Sequence, residues 1–255
     1  MRQIDEVLMQ FDPITLEEMS VVKLMNRIDT KYVIALPVLL DLLREAAPEY
    51  CVQCNDGKRT AEYHTIYLDT RDKRMYNAHA TGRKVREKIR VRTYMDTDDT
   101  FLEVKNKNNH GRTKKKRITV PSCREIFTDP KVRDDADDFL RAKAWYLTNE
   151  LQPHVENRFN RITLVNKGKT ERLTIDLGVR FHNFDNEADA DIAHLVIVEL
   201  KRDGLTHSPM RDILLRRHIQ PGGFSKYCIG CALTNPNLRH NLFNEKLLRI
   251  RKLKG

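Results

Sequence analysis

The chain has 255 residues, 40% of them hydrophobic, with a formal net charge of +10 and a pI near 9.4. Nothing in that composition suggests disorder, and it is enough to bury a sizeable core as one large domain or two small ones. No apolar run approaches the roughly 20 residues of a membrane-spanning helix, so membrane association would need another chain, and the charge points to anionic partners.

In chain order, residues 12–25 carry a helical pattern, with Thr15 and Glu18 at capping-box spacing and Ile14, Met19, Val22 and Met25 on one stripe. Arg27, Asp29 and Lys31 then alternate with Ile28 and Tyr32, as in a short strand with a polar face. Pro37 opens a helix that runs to about Ala47. A weak strand from Tyr50 leads into a turn at Asn55-Asp56-Gly57, and a second strand spans Glu62–Asp69.

Residues Gly82 to Lys107 read as an antiparallel hairpin joined by an Asp/Thr-rich connection. Strand side chains alternate between faces, so Lys84, Arg86, Lys88, Arg90 and Arg92 share one surface while Val85, Ile89 and Val91 share the other. In the returning strand Glu103, Lys105 and Lys107 alternate with Leu102 and Val104. A merely solvated face would interleave both signs, because like charges side by side repel. A Lys-rich segment follows a glycine turn at Gly111, with Lys114 and Lys116 on one face and Lys115 and Arg117 on the other.

Residues 130–151 are expected to be helical, with an acidic run early, where it complements the helix dipole. The second half repeats the strand pattern of the first. Arg161 and Thr163 oppose Ile162 and Leu164; Arg172, Thr174 and Asp176 oppose Leu173, Ile175 and Leu177; Glu199 and Lys201 oppose Val196, Val198 and Leu200. Ser208-Pro209 starts a helix to Ile219, the GGFSKY segment reads as a loop, and a basic amphipathic helix, expected to pack on its own domain, spans about 238–253. The five cysteines are odd in number, with no signal peptide before them, which implies a reducing, cytoplasmic setting; their two CxxC pairs lack zinc-finger spacing.

About eight strands with one apolar and one ionic face, interrupted by helices, predict an α+β fold built on an antiparallel barrel. If the apolar faces pack outward under helices, the ionic faces line a basic lumen suited to a polyphosphate chain. Glu103, Asp176 and Glu199 stand among those cations. Each could pair with a neighbouring Lys or Arg, or hold Mg²⁺ or Mn²⁺ against phosphoryl oxygens; the recurrence of Glu-x-Lys at Glu199 and Lys201 favours the metal role for Glu199.

Eight short segments carry a family resemblance in order: DTKY from Asp29, YLDT from Tyr67, KIRVRTY from Lys88, FLEVKNK from Phe101, FNR from Phe159, RLTID from Arg172, VELK from Val198 and FSKY from Phe224. Together they resemble the VTC domain, the polyphosphate polymerase module of the triphosphate tunnel superfamily, related to CYTH domains. The resemblance covers residues 27–230 of what reads as a single domain over residues 1–255. It implies an eight-stranded antiparallel tunnel surrounded by helices, a divalent metal (Mn²⁺ or Mg²⁺), and transfer of the γ-phosphate of ATP onto inorganic polyphosphate. A tunnel triphosphatase and a non-catalytic polyphosphate binder are the alternatives. Carried over by position, Arg90, Arg92, Lys105, Glu199 and Lys226 would be catalytic. Lys31, Lys88, Lys107, Lys116, Arg161, Arg172 and Lys201 would hold substrate, and the metal candidates remain Glu199, Glu103 and Asp176. Arg27, Asp29 and Lys31 stand where CYTH-type members carry a repeated-glutamate ExExK motif, which argues against a CYTH-type hydrolase or cyclase. The expected partners are ATP or another triphosphate and polyphosphate rather than nucleic acid, with a membrane protein in another chain as a potential recipient.

Overall fold

The computed structural model describes residues 2–20 and 27–254. In chain order its elements are α1 (Arg2–Leu8), β1 (Asp12–Ile14), α2 (Leu16–Ser20), β2 (Arg27–Ala35), α3 (Leu36–Ala46), β3 (Tyr50–Gln53), β4 (Ala61–Thr70) and α4 (Arg74–Ala80). The basic strands follow as β5 (Arg86–Tyr94), β6 (Asp99–Lys107) and β7 (Thr113–Thr119), then α5 (Cys123–Thr128) and α6 (Pro130–Lys143). The second half holds β8 (Leu151–Asn166), β9 (Glu171–Asn183), β10 (Ala188–Asp191), β11 (Leu195–Asp203), α7 (Pro209–Arg216), α8 (Lys226–Thr234) and α9 (Asn244–Lys252).

Eight strands form one antiparallel path in the order β2-β11-β9-β8-β4-β5-β6-β7, with β1, β3 and β10 attached beside it. Among the described residues no ladder joins β7 to β2, so the expected barrel is a curled half-barrel rather than a hydrogen-bonded closed ring. Its β7 edge is exposed and crowded with Lys114, Lys115, Lys116 and Arg117, charges that discourage pairing with another chain. The curl is helped by a bulge between Arg158 and Asn160, which lies opposite Gly178, a residue whose φ of 63° suits glycine.

The apolar faces do point outward under helices. Ile89, Val91, Leu102 and Val104 pack with Ile126, Ala136 and Leu140 of α5 and α6. On the other side Ile162, Leu164, Ile175, Val196 and Val198 pack beneath Leu39, Leu42 and Leu43 of α3 and Ile213 and Leu214 of α7. Helix α9 buries Leu247 and Ile250 in a cluster with Phe181, Ile197 and Tyr227, so the C-terminal basic helix packs on its own domain.

Several elements differ from the sequence expectation. The helix expected over 12–25 is β1 followed by α2; its capping box is present, with the Thr15 N–H donating to Glu18 Oε2 at 2.8 Å, while Val22 and Met25 lie outside the described residues. Helix α6 ends at Lys143, and Leu151 already belongs to β8. The GGFSKY segment is only partly a loop, because Ser225 caps α8, its Oγ accepting from Cys228 N–H. Helix α8 packs very close to the sheet: a Cβ added at Gly230 would lie 2.6 Å from Phe181 Cδ1.

Candidate functional site

The concave face of the sheet encloses a cavity of about 1230 Å³. Its walls carry seventeen Lys and Arg side chains against six Asp and Glu, an excess of eleven positive charges. The chain as a whole carries +10, so the basic charge is concentrated in this cavity and the rest of the molecule is close to neutral.

Strand alternation and register deliver the residues. Arg86, Lys88, Arg90 and Arg92 of β5 project inward, as do Lys105 and Lys107 of β6, Arg161 of β8, Arg172 and Asp176 of β9, Glu199 and Lys201 of β11, and Lys31 of β2. Lys226, the first residue of α8, joins them. Lys116 does not: it stands opposite Val104 in the β6–β7 ladder and therefore on the outward face. Lys115 and Arg117 take the inward positions instead.

The three acids divide into two kinds. Glu103 is fully buried; its Oε2 accepts from Arg90 Nε at 2.7 Å and its Oε1 from Lys115 Nζ at 2.8 Å. Asp176 is 3% exposed, accepts from Arg161 Nε at 2.6 Å and Arg161 Nη2 at 2.8 Å, and also receives Lys226 Nζ. Burial alone would raise both carboxyls, yet the facing cations hold each well below the usual carboxylate range. In this structure each of the two acids therefore serves as counter-ion to two cations. Glu199 differs: its nearest cations, Lys201 and Lys31, stand at 3.5 and 3.9 Å. Despite burial, Lys201, Lys31, Arg161 and Lys105 bring its carboxyl down to about 2.

Among the described residues no group of three or more His, Cys, Asp or Glu side chains could hold a metal on its own. A single loosely paired carboxylate still fits Mg²⁺ or Mn²⁺, because such ions are commonly held by one or two carboxylates with substrate phosphates and water completing the set.

Crowding shows in the cations. Burial, then Arg90 and Arg161, draws Arg92 down to about 10, and burial draws Lys226 down to about 8. Arg90 and then burial hold Lys105 well below its ordinary value. The Tyr67 phenol, which burial would raise, is pulled the other way by Arg90, Arg92, Lys226 and Lys88 and ends below its usual value.

Aromatic rings steady three of these cations. Tyr63 and Phe159 stack at 5.3 Å, with Arg161 4.9 Å above the Tyr63 ring and Lys226 4.1 Å above Phe159. Arg92 lies 5.4 Å from the Tyr63 centroid and donates from Nε to Thr65 Oγ1 at 3.1 Å. Asp69 of the YLDT segment has a purely architectural part: it accepts from Thr70, Met75 and Tyr76 N–H and from the Tyr227 hydroxyl, tying β4 to α4 and α8. Sequence reasoning missed Lys115, the Tyr63–Phe159 pair and Lys246 of α9, which also lines the cavity. The register of β7 against Glu103 would have revealed Lys115; nothing local marks Lys246.

The family model of the VTC domain matches residues 26–235. No curated protein matches the chain. Among solved structures, a provisionally named adenylate cyclase from Bacillus halodurans is 13% identical, covering 79% of this chain and 96% of its own, with a TM-score of 0.49. A provisionally named adenylyl cyclase from Hippeastrum, described as having a dominant triphosphatase activity, is 14% identical, covering 84% of this chain and 100% of its own, with a TM-score of 0.47. A provisionally named adenylate cyclase from Vibrio parahaemolyticus is 10% identical, covering 81% and 99%, with a TM-score of 0.46. The family match, spanning well over half of the sequence, identifies this chain as a member of the VTC domain family.

Proposed function

We propose that the chain is a polyphosphate polymerase that transfers the γ-phosphate of ATP onto an inorganic polyphosphate chain within the basic cavity. The observation that carries this reading is the concentration of an excess of eleven positive charges in one enclosed groove. Such a site neutralises a long run of phosphates and contributes little to binding an uncharged substrate.

In this reading Arg90, Arg92, Arg161, Lys105 and Lys226 bind the triphosphate, with Arg90, Arg161 and Lys226 exchanging part of their present pairing with Glu103 and Asp176 for phosphoryl oxygens. Guanidinium groups fixed by carboxylates and aromatic rings are oriented before substrate arrives, which lowers the cost of arranging them around the transferring group. A terminal oxygen of the acceptor chain attacks the γ-phosphorus, the bond to the β-phosphate oxygen breaks, and ADP leaves with that electron pair. An already ionised phosphate oxygen needs no general base, which suits a cavity rich in cations. Lys31, Lys88, Lys107, Arg172 and Lys201 hold the rest of the phosphates. Glu199 would hold a divalent ion, whose contribution when bound is to offset charge on bridging phosphoryl oxygens.

Glu199→Gln tests the division of labour. The variant should retain tripolyphosphate binding in the absence of metal and lose the formation of ADP from ATP in its presence. Unchanged turnover would remove Glu199 from the mechanism. Wild-type product containing orthophosphate alone, with no chain growth, would replace the polymerase with a triphosphatase.

A further inference from the structure

The cavity is not electrically uniform along its length. The β5–β6 hairpin runs along one wall, with Arg86 opposite Lys107 at its open end and Tyr94 opposite Asp99 at its turn. Eight residue steps along a strand separate these ends by about 26 Å. At the turn end the charges are balanced: Lys58 Nζ meets Asp96 Oδ1 at 2.9 Å, and Glu62 and Asp99 line the same region. In the middle, Glu103 offsets Arg90 and Lys115 and Asp176 offsets Arg161 and Lys226, while Arg92 and Lys105 beside them have no ion pair with a carboxylate among the described residues.

At the open end even this partial offset is missing. Arg86, Lys88, Lys107 and Lys246 are all half-buried in the wall, and among the described residues none of the four pairs with a carboxylate. Arg86 Nη1 donates to Arg83 O at 2.9 Å and Lys88 Nζ to Ser225 Oγ at 2.8 Å, both neutral acceptors. The groups facing them are uncharged or cationic too. His79 of α4 is held neutral, pushed down to about 2 by burial and then by Lys88, Arg86, Lys246 and Lys107 together; its Nδ1 lies 2.9 Å from Cys228 Sγ of α8. Lys31 adds another positive charge from β2.

Lys246 comes from α9, outside the segment that matches the family. Its place is set by packing: Leu247 and Ile250 are buried, Arg249 Nη2 donates to Val33 O at 2.9 Å, and His194 Nε2 donates to Ile250 O at 3.0 Å. The Lys246 ammonium stands 5.9 Å from the Phe243 ring centroid. Half-burying four cations without an acid is unfavourable unless an anion arrives to offset them.

We infer that the end of the cavity built from Arg86, Lys88, Lys107 and Lys246 is a separate subsite for the extended portion of a polyphosphate chain. Through it long chains leave the cavity, and Lys246 favours them over triphosphate. The inference rests on the proposed phosphate-chain reading and gives it a direction along the β5–β6 hairpin. A triphosphate is satisfied by the cations of the middle; a longer chain continues to the four at the open end.

Equilibrium binding of two probes, inorganic tripolyphosphate and long-chain inorganic polyphosphate, separates the possibilities. Lys246→Glu should weaken long-chain binding on the order of ten-fold at low salt while leaving tripolyphosphate within about two-fold of wild type. Lys246→Ala should make the salt dependence of long-chain binding shallower by about one unit of slope. Lys58→Ala, at the balanced end, should leave both probes unchanged. Equal losses for both probes in Lys246→Glu would place Lys246 in the triphosphate site and overturn the separate subsite. No loss with either probe, or a long-chain loss confined to Lys58→Ala, would overturn the direction. If wild-type protein bound neither probe, the phosphate-chain reading itself would fail and the subsite with it.

Discussion

Replacing Asp176 by Asn tests whether the buried acids serve as counter-ions. The substitution keeps the shape and leaves Arg161 and Lys226, both held by Asp176 at present, without a charge partner. Breaking a buried ion pair by removing one member costs about 3–5 kcal/mol. For a chain of this size that corresponds to a fall in Tm of roughly 6–20 °C. The same change makes the empty cavity more positive, so its affinity for tripolyphosphate should rise on the order of ten-fold, about 1.4 kcal/mol. Thermal unfolding with and without metal-free tripolyphosphate reads both effects. The variant should melt well below wild type when empty and recover part of the gap when ligand is added. A Tm close to wild type, or weaker tripolyphosphate binding without metal, would refute the counter-ion account and favour Asp176 as a metal ligand.

Lys226 makes the site sensitive to pH. Burial places the free ammonium near pH 8, and a bound phosphate chain raises that value. Its contribution to affinity is therefore complete below about pH 8 and is lost as pH rises through the bound-state value; calorimetry in two buffers should detect proton uptake on binding near pH 8, and Lys226→Arg should remove it. Lys115→Ala and Lys116→Ala form a matched pair on one strand. The first should weaken tripolyphosphate binding several-fold by freeing Glu103 to compete for Arg90, whereas the second should stay within about 0.5 kcal/mol of wild type, as for a surface substitution. Equal effects of the two would refute the register of β7.

Much of this architecture is legible in the residues because β-strands with one dry face leave an alternating record. Arg86 to Arg92 reveals its inward face directly, and the turn at Asn55 to Lys58 has Asp56 and Gly57 at φ of 47° and 78°, the positive values of a tight hairpin turn. Helix α8 is hidden for the opposite reason. Tyr227, Cys228, Ile229, Cys231 and Ala232 are all buried, so the helix has no wet face and no amphipathic period; only Ser225, its cap, marks the start. For Glu103, spacing along one strand does not give proximity. Glu103 lies two residues from Lys105, yet its partners are Arg90 directly across the β5–β6 ladder and Lys115 from β7. Cross-strand register, which depends on turns and packing far from the site, decides such pairs. Lys246 is less visible still, since α9 reaches the cavity only through tertiary packing.

The central claim is tested most directly by following purified protein with ATP and Mn²⁺ by phosphorus NMR. Polymerisation predicts the decline of the γ-phosphate signal, the rise of ADP, and growth of a resonance from internal phosphates of a chain. ATP left intact under these conditions, or converted only to ADP and orthophosphate, would contradict it.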